Sequence, residues 1–423
     1  MKNCFTSTDI LLPAFAQDAE KMTKWACIAC DQYTSEPDYW LDVEKIVGDA
    51  PSALNLVLPE LYLDEADSRI GKINAAMGEY LDGTLVTHRD AMIYLERRLK
   101  SGKVRRGLVG AVDLECYDYT KGASSLIRAT EGTVLERIPP RVKIREGAPV
   151  ELPHIMILID DPDRTVIEPL IDKAAGFTAA YDFDFMKNGG HVVGRFVPAD
   201  EQARISDALD QLCELDAYNR RYGLNETSPM LFAMGDGNHS LASAKAFWEQ
   251  VKSTLTPEEA SVHPARWALC EIVNIHDEAL EFEPIYRVAF GVEPEKLVSE
   301  LREYAASLPA SDVEAQTIEL VMGDKTETVI FENPTSFLPV GTLQTFLDAY
   351  IKRTPGAKID YIHGVESTKT LASGESCVGF LFRGMEKGDL FKTVICDGAL
   401  PRKTFSMGEA DDKRFYLEAR KIR

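Results

Sequence analysis

The sequence predicts a mixed α/β (α+β) fold, in which helices and strands alternate along most of the chain. The first observation is that, from residue 151 onward, short apolar runs alternate with amphipathic segments of helical period, which indicates layers of both element types. The second is that no internal repeat, low-complexity tract or long Pro/Gly/Ser linker interrupts this alternation. With 423 residues, of which 45% are hydrophobic and 27% charged, the chain can bury a sizeable core. The length predicts two to three domains.

The amino-terminal part is less regular. Its first 60 residues are rich in aromatic side chains and surround the segment Asp31-Gln32-Tyr33-Thr34-Ser35. After them, apolar periodicity and the stop signal at Gly102 predict a series of short elements. These are strands over 52–59 and 106–116, and helices over 67–81 and 87–101.

The remaining chain divides near residue 290, where the charged stretch Glu293-Pro294-Glu295-Lys296 begins. We therefore expect a core domain over 1–290 and a carboxy-terminal α/β region over 291–423 that closes on it. Before the boundary, the same signals predict strands over 153–159, 191–197, 230–234 and 267–275, and helices over 167–174, 199–215 and 240–253. After it, they predict helices over 293–307 and 341–352, and strands over 316–331, 358–363, 376–383 and 391–396.

Charge and cysteine content exclude several classes of function. Lys and Arg total 47 against 68 Asp and Glu, which gives a net charge of −21 and argues against a nucleic-acid partner. No apolar run reaches the roughly 18 residues that a membrane span needs, and no signal-peptide order is visible, so we expect a cytoplasmic protein without a membrane partner. Among the cysteines, only Cys27 and Cys30 are close in sequence. They form either a redox or zinc-binding pair, or they are small core residues.

The most informative segment is Gly235-Asp236-Gly237-Asn238-His239-Ser240, which joins a buried strand to an Ala-rich helix. The glycines permit a sharp turn, and Asn238 and Ser240 are expected to cap a helix whose amino end favours an anion. Asp236 and His239 add a carboxylate and a proton carrier. The segment therefore predicts a phosphate-binding turn, and the alternative is a tight turn whose polar groups only satisfy the backbone.

Three further clusters are candidates for the same site. Arg128, Thr130 and Glu131 lie on a predicted loop, where Arg128 suits phosphate recognition and Glu131 a general base, or where they form only a surface ion pair and a helix cap. Asp31 and Gln32 hold a ligand or form a turn. Arg402 and Lys403, followed by a predicted terminal amphipathic helix, lie at the rim of the site or form a solvated basic spot.

Several segments, in their order, resemble the bacterial domain-of-unknown-function family 1015. They are "WACIACDQYTS", "LVLPE", "RATEGTV", "GDGNHSLASAK", "FEPIYR" and "LPRKTFSMGEADDKRFYLEARKI". The Gly-Asp-Gly-Asn-His turn also resembles the Asp-Gly-His-His-Arg turn of the wider ParB/sulfiredoxin superfamily. In that superfamily, which includes free-serine kinases, the turn and the following helix cradle nucleotide phosphates. Here Asn238 replaces the first His of that turn and Ser240 replaces its Arg.

The resemblance implies a ParB/sulfiredoxin-like core and phosphoryl transfer on a small metabolite, serine or phosphoserine, by a kinase or a phosphatase. It implies Mg²⁺ and a nucleotide, ATP or ADP, as cofactors, and a phosphorylated metabolite or nucleotide as partner. Asp236, His239 and Glu131 are then the expected catalytic residues. The alternative is a non-catalytic binding protein of the ParB type. The net charge and the lack of a basic DNA-reading element argue against a DNA-bound switch.

Overall fold

A computed structural model describes residues 2–423, which form two compact units. The first contains the chain up to Leu280 together with Glu409–Arg423, and the second is Glu281–Gly408. The sequence interpretation placed one boundary near residue 290. In the structure the first unit ends ten residues earlier than that position, and the final segment returns to it.

The first unit contains a mixed sheet of ten strands. Its longest path runs β11-β12-β5-β6-β14-β10-β13-β8-β7, and β1 pairs with β6. The strands, numbered in chain order, are β1 (Phe5–Thr6), β2 (Thr8–Pro13), β3 (Cys27–Ile28), β4 (Leu85–Ala91), β5 (Ile93–Arg98), β6 (Val104–Asp113), β7 (Tyr117–Asp118), β8 (Ile127–Arg128), β9 (Val150–Glu151), β10 (Met156–Ile159), β11 (Ala179–Asp184), β12 (His191–Phe196), β13 (Phe232–Asp236) and β14 (Trp267–Asn274).

Helices surround this sheet. They are α1 (Ala19–Trp25), α2 (Pro37–Val47), α3 (Ala66–Gly83), α4 (Ile138–Glu146), α5 (Ala199–Leu212), α6 (Leu215–Tyr222), α7 (Asn238–Lys252) and α8 (Pro257–Val262). The central strand β10 is buried along its whole length, parallel to β14 and antiparallel to β13. None of the helices in the described chain has the length and apolar character that crossing a membrane requires.

The second unit has its own sheet, in the order β17-β16-β19-β15-β18, with β20 paired to β15. Its strands are β15 (Phe282–Phe290), β16 (Gln316–Met322), β17 (Lys325–Phe331), β18 (Lys358–His363), β19 (Cys377–Phe382) and β20 (Phe405–Met407). Its helices are α9 (Pro294–Ser307), α10 (Pro339–Arg353), α11 (Val365–Leu371) and α12 (Asp389–Asp397).

The carboxy-terminal segment crosses the first unit as two short strands. β21 (Phe415–Tyr416) pairs with β3, and β22 (Arg420–Lys421) pairs with β9. The buried side chain of Arg97 donates hydrogen bonds to the carbonyls of Asp411, Asp412 and Lys413. This fixes the segment that carries Lys413 and Tyr416, and it replaces the terminal amphipathic helix that the sequence predicted.

The predicted fold class, mixed α/β, is confirmed, but four predicted elements besides the terminal helix are wrong. Residues 87–101 form β4 and β5 rather than a helix, and 391–396 lie in α12 rather than in a strand. The predicted strand over 52–59 contains a 3₁₀ turn, Ala53–Leu56, and the predicted helix over 167–174 contains only 3₁₀ turns. β5 is buried on both faces, so its apolar residues do not alternate and the strand period is hidden.

Candidate functional site

The candidate site begins where β13 passes into α7. Gly237 connects the two elements in the left-handed conformation, with φ +76°. A Cβ atom at this position would lie 3.1 Å from the Cα atom of Ile155, so both the conformation and the close approach of the two backbones favour glycine. Gly235 is also closely packed, because its Cβ would lie 3.0 Å from the side chain of Leu158.

The amino end of α7 carries no side-chain cap. Gly237 occupies the N-cap position, so Asn238 and Ser240 are the first and third helical residues and not the caps that the sequence predicted. The first N–H group to donate within the helix is that of Leu241, to the carbonyl of Gly237 at 3.0 Å. The N–H groups of Asn238, His239 and Ser240 come before it and therefore have no intrahelical acceptor. The side-chain oxygen of Asn238 is also buried without a hydrogen-bond partner in the described chain. The N–H groups of this helix end attract an anion, whereas the oxygen of Asn238 can only accept a hydrogen bond from a donor.

Charged side chains from three distant segments meet beside this turn. Asp236 accepts a hydrogen bond from the N–H of Gly237 at 2.8 Å, and its other oxygen lies 3.3 Å from Nζ of Lys413. Burial opposes ionisation of Asp31, but His154, the amide of Gln32 and Lys413 outweigh it and hold the pKa of Asp31 below its ordinary value. Lys413 therefore serves two carboxylates.

Gln32 and Asp31 form a local pair. The side-chain amide of Gln32 donates to Asp31 at 3.0 Å, and the backbone N–H of Gln32 closes a turn on Ala29. The adjacent Tyr33 stacks on Tyr39 and donates a hydrogen bond to Asp411. This loop therefore presents Asp31 from a fixed backbone.

A second chain of contacts leads from the first turn of α7 into the interior. Oγ of Ser240 lies 3.0 Å from Nε2 of His154, and Nδ1 of His154 lies 2.8 Å from the hydroxyl of Tyr416. Asp31 approaches the same Nε2 at 3.9 Å. Ser240, His154 and Tyr416 border a cavity of about 130 Å³, and of residues 236–240 only Ser240 lines it.

His239 lies on the outer side of the turn. Its Nε2 atom is 3.4 Å from the backbone N–H of Val134, which follows the 126–133 cluster. Partial burial, together with the positive charges of Arg141 and Arg137, lowers the pKa of His239 from its ordinary value. The imidazole is therefore neutral near pH 7, the form that accepts a proton.

The 126–133 cluster divides between two places. The hydroxyl of Thr130 donates to the carbonyl of Met234 at 2.8 Å, so Thr130 supports β13 and does not face a ligand. Glu131 is half-buried, three residues before the N–H group that His239 contacts.

Arg128 does not reach the turn. Its guanidinium is buried and donates to the carbonyls of Ser125 and Ser228 at 2.9 and 3.2 Å. Ser125 precedes β8 and Ser228 precedes β13, and these two strands are parallel. Because the turn follows β13, Arg128 lies at the other end of the strands. The predicted phosphate-binding role of Arg128 is therefore replaced by a structural one at the opposite strand end.

Arg402 and Lys403 belong to the second unit. Arg402 pairs with Asp348 at 2.9 Å, and both cations lie within 5.6 Å of the ring of Tyr361. Lys403 adopts a φ of +50°. The two side chains thus have partners within their own unit.

Sequence reasoning did not select Lys413, His154 or Tyr416. His154 has no ligand or catalytic spacing to another residue in the sequence, although it lies two residues before the buried strand β10. No group of three His, Cys, Asp or Glu side chains that could hold a metal ion occurs in residues 2–423. Burial raises the pKa of the Cys30 thiol to about 12 and raises that of Cys27 as well, which favours the interpretation of this pair as core residues.

These features define an α/β protein with an uncapped helix terminus beside a lysine and two carboxylates. The chain belongs to the family described as "Protein of unknown function (DUF1015)", whose model matches residues 11–350. The sequence matches no curated protein.

Solved structures that resemble the chain include two proteins at 12% identity. One is a free serine kinase variant in complex with AMP, with a TM-score of 0.36 over 77% of this chain and 95% of the other. The other is a conserved hypothetical protein from Pyrococcus furiosus, with a TM-score of 0.33 over 77% of this chain and 97% of the other.

Proposed function

We propose that the turn between β13 and α7 binds the phosphate of a small metabolite or nucleotide and that the protein is a phosphoryl-transfer enzyme. The observation that carries this proposal is the uncapped first turn of α7, whose N–H groups adjoin Lys413 and the carboxylate of Asp236. Backbone N–H groups and one lysine provide a fixed set of donors for phosphate oxygens.

The proposed acceptor is a hydroxyl group, that of serine in the kinase direction or of water in the phosphatase direction. Phosphoryl transfer needs positioning and charge stabilisation more than covalent chemistry. In this proposal the N–H groups of Asn238, His239 and Ser240 hold the phosphate and Lys413 neutralises developing charge. Asp236 or neutral His239 receives the hydroxyl proton, and Glu131 is the more distant candidate base. The choice of serine rests on the family resemblance.

The carboxylates are compatible with Mg²⁺ in the mode in which that ion uses one or two carboxylates and substrate phosphates. Asp236 and Asp31 are the residues that would hold it, and when bound it would neutralise phosphate charge. A nucleotide, ATP or ADP, is the proposed phosphoryl donor in the kinase direction.

A second candidate is a binding protein for a phosphorylated metabolite without turnover. The salt bridge of Asp236 with Lys413 favours this alternative, because it already engages one oxygen of the carboxylate that would have to accept the proton.

The test uses the full chain with Mg²⁺ and either serine plus ATP or ADP, or phosphoserine alone, and follows phosphoserine and free phosphate. We expect Asp236→Asn to remove most of the activity while the melting temperature changes little, because the substitution preserves size and deletes charge. His239→Ala is expected to lose about 10²-fold or more. The matched control is Asp163→Asn, at an exposed position of the same unit.

Formation of phosphoserine identifies a kinase, and phosphate release identifies a phosphatase. Binding of phosphoserine or nucleotide without turnover supports the second candidate. If neither turnover nor a shift of the melting temperature occurs with any of these ligands, the proposal is wrong.

A further inference from the structure

The contact between Ser240 and His154 has the geometry of an activated nucleophile. A serine hydroxyl at 3.0 Å from an imidazole nitrogen, with the second ring nitrogen held by a third group, is the arrangement that raises serine nucleophilicity. The third group is the buried hydroxyl of Tyr416, at 2.8 Å from Nδ1. That hydroxyl also accepts the backbone N–H of Cys30 at 3.2 Å, which fixes its position.

The space beside this pair has a mixed lining. Aliphatic side chains, among them Leu56, Met77 and Val150, form most of the wall of the cavity of about 130 Å³ that Ser240 and His154 border. Two ion pairs, Arg141 with Glu60 and Arg145 with Glu151, also line it. An apolar cavity of about 150 Å³ binds benzene, so this space suits a short acyl chain or one aromatic ring.

We propose that Ser240 is a nucleophile, with His154 as its general base, toward small apolar carboxylic esters whose acyl group occupies this cavity. The activity is distinct from phosphoryl transfer at the same helix terminus, because it uses the hydroxyl of Ser240 and not its N–H group. Tyr416 is a positioning residue: when its oxygen accepts the Nδ1 proton, the lone pair of Nε2 faces Ser240. Asp31, 3.9 Å from Nε2, stabilises the imidazolium that forms.

The reaction has two balanced halves. In the first, the proton of Ser240 passes to Nε2 of His154 while Oγ bonds to the ester carbonyl carbon. The bond to the alkoxy group then breaks, and His154 returns the proton to the leaving alcohol. In the second, His154 takes a proton from water while the water oxygen bonds to the acyl carbonyl carbon. The bond from that carbon to Oγ then breaks, and His154 returns the proton to Oγ, which releases the carboxylic acid and free Ser240.

The experiment uses the full chain, 4-nitrophenyl acetate as substrate and phenylmethanesulfonyl fluoride as a covalent probe, with the modified residue located by peptide mass mapping. We expect hydrolysis of the ester, one sulfonyl group per chain on Ser240, and loss of the hydrolysis on labelling. Absence of hydrolysis, or a label on any other residue, overturns the proposal. Because this measurement is made on the unaltered protein, it does not depend on the folding of a variant.

Substitutions test whether Ser240 and His154 act in catalysis or only lie near the cavity. Ser240→Ala should abolish both hydrolysis and labelling, and His154→Gln should lower kcat/KM by about 10²-fold or more. Tyr416→Phe should lower kcat with little change in KM, since it acts through the ring of His154. Ser253→Ala is the matched control: Ser253 is exposed at the carboxy end of α7, outside the lining of the cavity, and its hydroxyl donates to the carbonyl of Gln250 at 2.7 Å. Equal labelling in the Ser240→Ala variant would contradict the proposal, whatever the outcome of the phosphoryl-transfer assay.

Discussion

Arg128 shows how the partners of one side chain change its expected role. Its guanidinium spans the carbonyls of Ser125 and Ser228 within the first unit, and burial lowers its pKa. We expect Arg128→Met to lower the free energy of unfolding by roughly 1–3 kcal/mol, because two buried carbonyls lose a donor. All four tryptophans lie in the first unit, so their fluorescence in a denaturant titration measures this change. Phosphoserine affinity should stay the same. A tenfold weaker affinity at unchanged stability would restore the phosphate-binding role.

The pKa of the His239 imidazole can be tested at the scale of a single residue. Partial burial and the charges of Arg141 and Arg137 lower its pKa, so the ring protonates only as the pH falls below the ordinary value of 6.5. We expect its NMR titration midpoint below 6.5, with the resonance assigned by its loss in His239→Gln. Addition of inorganic phosphate should raise the midpoint, since a bound anion favours the imidazolium. A midpoint above 6.5 in the free protein would contradict this environment.

The part of the site that is contiguous in sequence, residues 235–240, could be predicted, because its glycines and polar residues indicate a turn between a strand and a helix. Lys413 and the pair of His154 and Tyr416 could not. His154 and Tyr416 are 262 residues apart. The returning terminal segment brings them together through the pairing of β21 with β3 and of β22 with β9. A lone histidine carries no spacing signal, so nothing local distinguished it from the others.

At the scale of elements, the turn between β13 and α7 depends on Gly237. We expect Gly237→Ala to destabilise the first unit by more than Gly223→Ala, which is the matched control. Both glycines have a left-handed φ, which costs an alanine about 1–2 kcal/mol, but a Cβ at Gly223 meets nothing within 4 Å. At Gly237 it lies 3.1 Å from Ile155, so β10 or the turn must move.

The same pair of variants tests the site. Displacement of the turn reorients the N–H groups of α7, so Gly237→Ala should also weaken phosphoserine binding, measured by calorimetry, and Gly223→Ala should not. Equal unfolding midpoints and equal affinities in the two variants would show that the turn tolerates a side chain.

Element types were predictable where the apolar period was unambiguous. The helix α3 and the strands β12 and β14 agree with their patterns within a few residues. The sequence predicts a helix over the region of β4 and β5 because apolar residues at 92, 93, 95 and 99 satisfy a helical period as well as a doubly buried strand. In α12 the buried residues Leu390, Phe391 and Val394 follow helical spacing, but the short run lacked the length that separates the two types.

At the scale of the whole molecule, the first unit is completed by residues from both ends of its sequence. Buried ion pairs join the returning segment to the body: Arg414 bonds Glu271 at 2.9 Å, and Arg420 bonds Glu151 at 3.0 Å. No local pattern predicts such a return, because the strands β21 and β22 have two residues each. The sequence predicts one boundary near residue 290, whereas the first compact unit contains both the chain up to Leu280 and Glu409–Arg423.

The Glu151 pair makes the stability of this closure depend on pH. Burial opposes ionisation of Glu151, but Arg420, Arg145 and the N–H of Leu269 outweigh it and lower its pKa below 4.5. A carboxyl whose pKa is lower in the folded state stabilises the fold above the unfolded pKa. This contribution is lost as the pH falls from 4.5 through the folded value. Tryptophan-monitored melting temperatures should therefore decline over that range.

Glu151→Gln tests this origin of the acid sensitivity. The variant should lose roughly 3–5 kcal/mol at pH 7, because it leaves buried Arg420 without its charge partner, and its melting temperature should vary less between pH 5 and pH 3. Glu65→Gln is the control, since Glu65 and Arg69 form an exposed pair at 2.7 Å that contributes about 0–1 kcal/mol. The melting temperature of Glu151→Gln could instead fall as steeply between pH 5 and pH 3 as that of the unaltered chain. Groups other than Glu151 would then cause the acid sensitivity, because the substituted amide has no proton to gain over that interval.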